Sequence, residues 1–120
     1  GVLELIEDDS ECLITIDCDG LDPSVIPGVL IPQPGGLSYF DVVDLMRGVA
    51  SKCRIVGLDI VEFVPERDVQ NLGAIAIARI LCNGLGCIRK RAVSAPLTEV
   101  RTANCGTSSQ DDRVGVRMMI

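Results

Sequence analysis

Two stretches of this chain are apolar at nearly every position and lead into carboxylates. Cys12 to Cys18 is apolar up to Asp17, and Arg54 to Val61 is apolar up to Asp59, with Glu62 directly after it. Unbroken apolar runs of this length predict strands covered on both faces, as in a parallel sheet. Between them the period changes. Val42, Leu45, Met46 and Val49 recur at i, i+3, i+4 and i+7, which makes one helical face apolar. Ser38 precedes that run with Asp41 three residues on, the spacing of a capping box, and Ser51-Lys52 closes it. Asn71 to Leu81 predicts a second helix, apolar around most of its surface and therefore well buried. Residues 2–8 read as the last turns of a helix that begins earlier, followed by the polar break Asp9-Ser10-Glu11. The order strand, helix, strand, helix predicts an α/β fold with a parallel sheet and right-handed crossovers.

Two segments stand outside this alternation. Residues 19–37 contain Pro23, Pro27, Pro32 and Pro34 together with Gly20, Gly28, Gly35 and Gly36. A loop of this length in a compact domain is usually functional or disordered, and its prolines favour an ordered, functional loop. Residues 89–120 lack periodicity and are rich in Ser, Thr, Arg and Asp. They predict an irregular, disordered tail, so the expected division is a folded part over 1–88 and a tail over 89–120.

Composition narrows the classes. The chain has 120 residues, 48% of them hydrophobic but only 2% aromatic, so its core must be aliphatic. The net charge of −6 argues against a nucleic-acid or other polyanionic partner. No apolar run is expected to reach the length of a membrane span, so a membrane partner is not expected. The chain opens without Met and without a basic-then-apolar signal segment, and the expectation is that an upstream portion is missing. The six cysteines form no C-x-x-C pair and read as reduced small hydrophobes of a cytoplasmic protein. With no His in the chain, a zinc finger or a His-based triad is excluded.

The candidate chemistry lies where the first apolar run ends, at Thr15-Ile16-Asp17-Cys18-Asp19-Gly20-Leu21-Asp22-Pro23. If the strand continued through them, Asp17 and Asp19 would project from one side. Two carboxylates so placed repel each other unless a cation lies between them. Ligands of open parallel sheets bind beyond the carboxyl ends of the strands, so Asp17, Asp19 and Glu62 are expected to converge on one rim. Oxygen ligands of this kind suit Mg²⁺ or Mn²⁺. Strand-end aspartates are also ordinary turn formers, a reading that fits Asp22 equally well. An EF-hand loop fails, because its sixth position would be Asp22 rather than Gly and its twelfth Gly28 rather than Glu. A phosphatase pattern of the haloacid-dehalogenase type, D-x-D-G-T, meets Leu21 where Thr is required.

A second family fits the whole pattern. Thr15-Ile16-Asp17-Cys18-Asp19, then Pro23, Pro27-Gly28 and Gly36, resembles the signature of the ureohydrolases: arginase, agmatinase and guanidinobutyrase. The likeness continues through Pro34-Gly35-Gly36-Leu37 and Gly57-Leu58-Asp59-Ile60-Val61-Glu62, and covers roughly residues 2–88. Glu62-Phe63-Val64-Pro65 looks more like agmatinase or guanidinobutyrase than the animal arginases, which favour Asn before that proline.

The resemblance implies a C-terminal portion of the three-layer α/β/α, arginase-like fold. It implies hydrolysis of a linear guanidino compound to urea and an amine, by a hydroxide bridging two Mn²⁺ ions, in a protein that is a homo-oligomer at full length. Asp17 matches the aspartate that bridges the metals, Asp19 a ligand to one of them, and Glu62 the acid that receives the substrate's guanidinium. Asp22 and Asp59 match positions of supporting hydrogen bonds, and Gly28 with Gly35-Gly36 would shape the mouth of the site. The family's other ligands, two His and two Asp, and its proton-transferring His have no counterpart here. No complete catalytic set is therefore expected in these residues, and the isolated chain is expected to be inactive. The alternatives are a non-enzymatic truncated paralogue acting through subunit contacts and a D-x-D-G phosphatase-like hydrolase. The implied location is the cytoplasm, or the mitochondrion in a eukaryote. Two parallel strands with unpaired edges are also expected to leave the isolated chain prone to aggregation.

Overall fold

The computed structural model describes residues 1–94 and 115–119. The sheet is built on strand β1 (Glu11–Asp17), which pairs in parallel with β2 (Arg54–Val61) on one side and with β3 (Gly115–Met119) on the other. Helices α1 (Tyr39–Lys52) and α2 (Leu72–Ser94) follow β1 and β2 in turn. The predicted alternation is thus present, and the second strand has the bounds its apolar run implied.

Cys12, Ile14 and Ile16 alternate along β1 and are all buried. They form one core with Ile55 of β2, Val42, Val43, Met46 and Val49 of α1, and Ala76 and Ile80 of α2. Both helices therefore cover the same face of the sheet. The register sets Leu13 beside Gly57 and Arg117, and Thr15 beside Asp59 and Met119, on the opposite face. Leu13, Asp59, Arg117 and Met119 are exposed there, so the described residues supply the sheet and one helical layer of an α/β/α arrangement.

The N-terminus of α1 is the predicted capping box. The Ser38 hydroxyl accepts from the Asp41 amide at 3.2 Å, and the Asp41 carboxylate accepts from the Ser38 amide at 2.9 Å. The buried stripe of α1 takes in Val43 where the periodicity pointed to Leu45, which is only half-buried. Residues 2–8 hold a short 3₁₀ turn at Val2–Leu5 in place of the end of a longer helix. Its carbonyls are tied to α1 by Lys52, whose Nζ donates to the oxygens of Leu3 at 2.9 Å and Ile6 at 3.2 Å.

Three sequence expectations are corrected. First, α2 continues to Ser94, because Asn83-Gly84-Leu85-Gly86 does not break it. Gly84 is where the Leu58 side chain of β2 lies on the helix, and a side chain at that position would collide with it. Asn83 Nδ2 donates to Tyr39 Oη of α1 at 3.1 Å and to the Arg79 carbonyl at 2.9 Å. Second, α2 is covered on one face only: Gly73, Ala76, Ile80 and Gly84 are buried, while Leu72, Ile75 and Leu85 are exposed. Leu72–Arg89 is also long and apolar enough to cross a membrane by length and composition, contrary to the expectation that no stretch is. Seating of its small-residue face on β2 and α1 suits a core helix equally well. Third, the tail is not irregular throughout. Residues 89–94 belong to α2 and 115–119 form β3, whose Met118 packs against the core. The rest of the expected disordered tail, 95–114, lies outside the described residues. β3 also pairs one edge of β1 that a two-stranded sheet would have left open.

Candidate metal centre

The central strand ends at Asp17, and the chain turns at once into a 3₁₀ turn over Cys18–Gly20. Asp17 Oδ1 caps this turn by accepting from the Asp19 amide at 2.9 Å. The two aspartates are thus linked by a tight turn and not by strand alternation. The expected i, i+2 geometry is corrected here: β1 ends at Asp17, and the Asp17 side chain caps the turn that follows.

Asp19 Oδ1 is buried and accepts no hydrogen bond. A desolvated carboxylate oxygen without a donor is costly, and a cation removes that cost. The residues present therefore fit a divalent cation held by Asp17 and Asp19. Glu62 follows the last residue of β2, whose Val61 is the register partner of Asp17. It is exposed, and its φ of 60° is left-handed, a conformation that costs a non-glycine residue about 1–2 kcal/mol. The Cys18 thiol is pushed up to about 11, first by burial and then by the negative charges of Asp17, Asp19 and Glu62. Glu62 therefore stands next to the strand end that carries the two aspartates. Among the described residues, however, no three His, Cys, Asp or Glu side chains close around a single cation position. The expected three-carboxylate convergence is a pair in one turn with Glu62 in the same field.

The long loop is ordered by Asp22. Its Oδ1 accepts from the Ser24 amide at 2.9 Å and its Oδ2 from the Gly35 amide at 2.8 Å, which closes the two ends of the loop on each other. Leu21 and Leu37 form an isolated parallel bridge beside this clasp. Asp22 thus makes the supporting bonds the resemblance implied. Asp59 does not: it is exposed on the sheet face away from the helices, and nothing among the described residues donates to it.

The sequence reading missed Asp68. Its carboxylate accepts from the amides of Val69 at 2.9 Å, Gly73 at 2.9 Å and Ala74 at 3.0 Å, the last two of them in the first turn of α2. An aspartate just ahead of an apolar helical run is the signal that could have found it.

Three aspartates are held below the usual value. Hydrogen bonding from Ser24, and then from Gly35, lowers Asp22, and hydrogen bonding from Ser38 lowers Asp41. For Asp68 desolvation raises the value, but the amides of Ala74, Gly73 and Val69 outweigh it. A depressed folded-state value contributes stability that is complete above the unfolded value and lost as pH falls through the folded one. The melting temperature is therefore expected to be level above about pH 5 and to drop below about pH 4. Scanning calorimetry of the parent and of Asp22→Asn checks this; the variant should fall less steeply, and an identical slope would count against the clasp.

The "Arginase family" model matches residues 1–86. The chain belongs to the arginase family. An agmatinase of Chromobacterium violaceum is 38% identical over 89 residues, 74% of this chain and 27% of that protein. An N(1)-aminopropylagmatine ureohydrolase of Thermus thermophilus is 52% identical over 52 residues, 43% of this chain and 18% of that protein. The crystal structure of a hypothetical agmatinase from Burkholderia thailandensis superposes with a TM-score of 0.69 at 35% identity, covering 78% of this chain and 31% of that one. This arginase-family chain thus spans about a quarter to a third of the length of the agmatinases it matches. Membership of the family displaces the D-x-D-G phosphatase alternative.

Proposed function

We propose that this chain forms the C-terminal part of the active site of a ureohydrolase of the agmatinase type, in which Asp17 and Asp19 hold Mn²⁺ and Glu62 receives a linear guanidino substrate. The observation that carries this reading is the buried, unpartnered Oδ1 of Asp19 in the turn that Asp17 caps. When bound, the metal pair supplies charge neutralisation and acidifies water. Glu62 is exposed and offers two oxygens whose geometry matches the paired N–H donors of a planar guanidinium. The Asp22 clasp keeps the loop over this rim closed on itself, so the acidic turn is held in one geometry. The overall reaction adds water to the guanidino carbon, breaks its bond to the alkyl nitrogen and passes a proton to that nitrogen, giving urea and an ammonium product. Among the described residues the thiols of Cys12, Cys18, Cys82 and Cys87 form no disulfide, which suits a reducing compartment, and the cytoplasm is the proposed location.

These 120 residues contain no His to transfer that proton. Purified alone with excess Mn²⁺, they are expected to release no measurable urea from agmatine, 4-guanidinobutyrate or arginine. Robust urea release in a colorimetric assay would overturn the assignment of this chain as a partial site. The exposed Leu72, Ile75 and Leu85 of α2 favour a second reading, in which the chain acts through contacts with other subunits. Metal-free co-purification with a full-length relative would support it.

A further inference from the structure

The ring of Phe63 occupies a slot between two glycines. A Cβ on Gly28 would stand 2.9 Å from Phe63 Cε2, and one on Gly73 would stand 3.0 Å from the same atom. The slot is bounded further by the Asp68 side chain, which crowds both glycines, and by Ile26, which crowds Gly73. Gly28 belongs to the long loop and Gly73 to the first turn of α2, so the ring wedges three segments together. The next residue reinforces the contact, because the Val64 amide donates to the Gly28 carbonyl at 2.7 Å. The preceding residue is Glu62, with its left-handed φ of 60°. Such a backbone relaxes toward the β or α region unless both flanks are fixed. Upstream the flank is fixed by the pairing of Val61 with Asp17; downstream, among the described residues, the Phe63 ring and the Val64 amide hold it.

We propose that Phe63 is a positioning residue: its ring, seated between Gly28 and Gly73, holds Glu62 in the left-handed conformation that presents its carboxylate at the rim beside Asp17 and Asp19. The functional part of this assignment rests on Glu62 as the acceptor of the substrate's guanidinium. Packing supplies the fixed point, and the carboxylate inherits its direction from it.

The test uses the whole chain labelled for NMR, with agmatine as the probe. The backbone readout is the strong intraresidue HN–Hα contact that a left-handed residue gives at Glu62. Phe63→Ala empties the slot, and Phe63→Leu keeps apolar bulk there and guards against loss of the fold. Phe63→Tyr keeps the ring. The alanine and leucine variants are expected to lose the left-handed signature and to bind agmatine about tenfold more weakly, while the tyrosine variant retains both. A preserved signature in both Phe63→Ala and Phe63→Leu overturns the proposal, whatever agmatine does. Glu62→Gln separates the two ideas. If it binds agmatine as tightly as the parent, the guanidinium assignment falls, while the backbone signature still decides the role of Phe63.

Discussion

Gly36→Ala is expected to cost about 2–3 kcal/mol of stability and to open the loop that carries the acidic turn. The added Cβ would lie 2.7 Å from the Leu21 carbonyl carbon, 2.8 Å from the Asp22 amide nitrogen and 2.8 Å from the Gly20 oxygen. All three are backbone atoms, so no rotamer change relieves the clash. The same backbone is pinned by two hydrogen bonds of 2.9 Å, from Asp22 N to Leu37 O and from Leu37 N to Gly20 O. To admit the methyl group, at least one of these must lengthen, and the Asp22–Gly35 clasp shares the strain. Gly35→Ala is the informative comparison. Gly35 has a φ of 83° but open space around it, so alanine there should cost only about 1 kcal/mol, through backbone strain alone. Urea titrations of both variants measure the difference. A Gly36→Ala chain as stable as the parent would show that the close approach at this bridge does not hold in solution.

Asp19→Asn is expected to act in opposite directions on metal binding and on stability. Sub-stoichiometric Mn²⁺ should broaden the amide signals of residues 17–20 in the parent chain, because the ion is paramagnetic and sits among them. In Asp19→Asn that response should need at least about tenfold more Mn²⁺, since a neutral amide replaces an anionic ligand. The metal-free variant should nevertheless melt no lower than the parent. Asp19 Oδ1 is buried without a donor, so removing its charge takes away a desolvated anion and breaks no bond. Asp17→Ala gives the contrast. Asp17 Oδ1 caps the turn through the Asp19 amide, so removing that acceptor should lower stability as well as affinity. Equal destabilisation by the two substitutions would remove the argument that Asp19 is kept for a ligand.

Asp17-Cys18-Asp19 and Glu62 were legible as a rim because apolar runs that end in carboxylates are a local pattern. The Pro/Gly spacing of residues 19–37 then carried the family resemblance, since a backbone that must turn sharply needs those residue types wherever it does so. The capping box at Ser38 and Asp41 was legible for the same reason: both partners lie within four residues. Three features were not. α2 runs through Asn83-Gly84-Leu85-Gly86 because Leu58, 26 positions earlier, lies on Gly84. Residues 115–119 join the sheet because β1 offers them a second edge, which no periodicity in the tail announces. Asp59 stands inside a matching motif yet is exposed and without a donor among the described residues.

The sequence by itself determined the α/β alternation, the family and the acidic residues that stand at the strand ends, because each is written in spacings along the chain itself. Only the tertiary structure decided how those residues are held. It replaced strand alternation with a capped turn at Asp17, left one oxygen of Asp19 without a partner, and turned Glu62 into the left-handed region. It also showed that Gly28 and Gly73 are small so that Phe63 can lie between them. These are contacts between segments tens of residues apart, and their strength depends on close packing that a linear pattern does not encode.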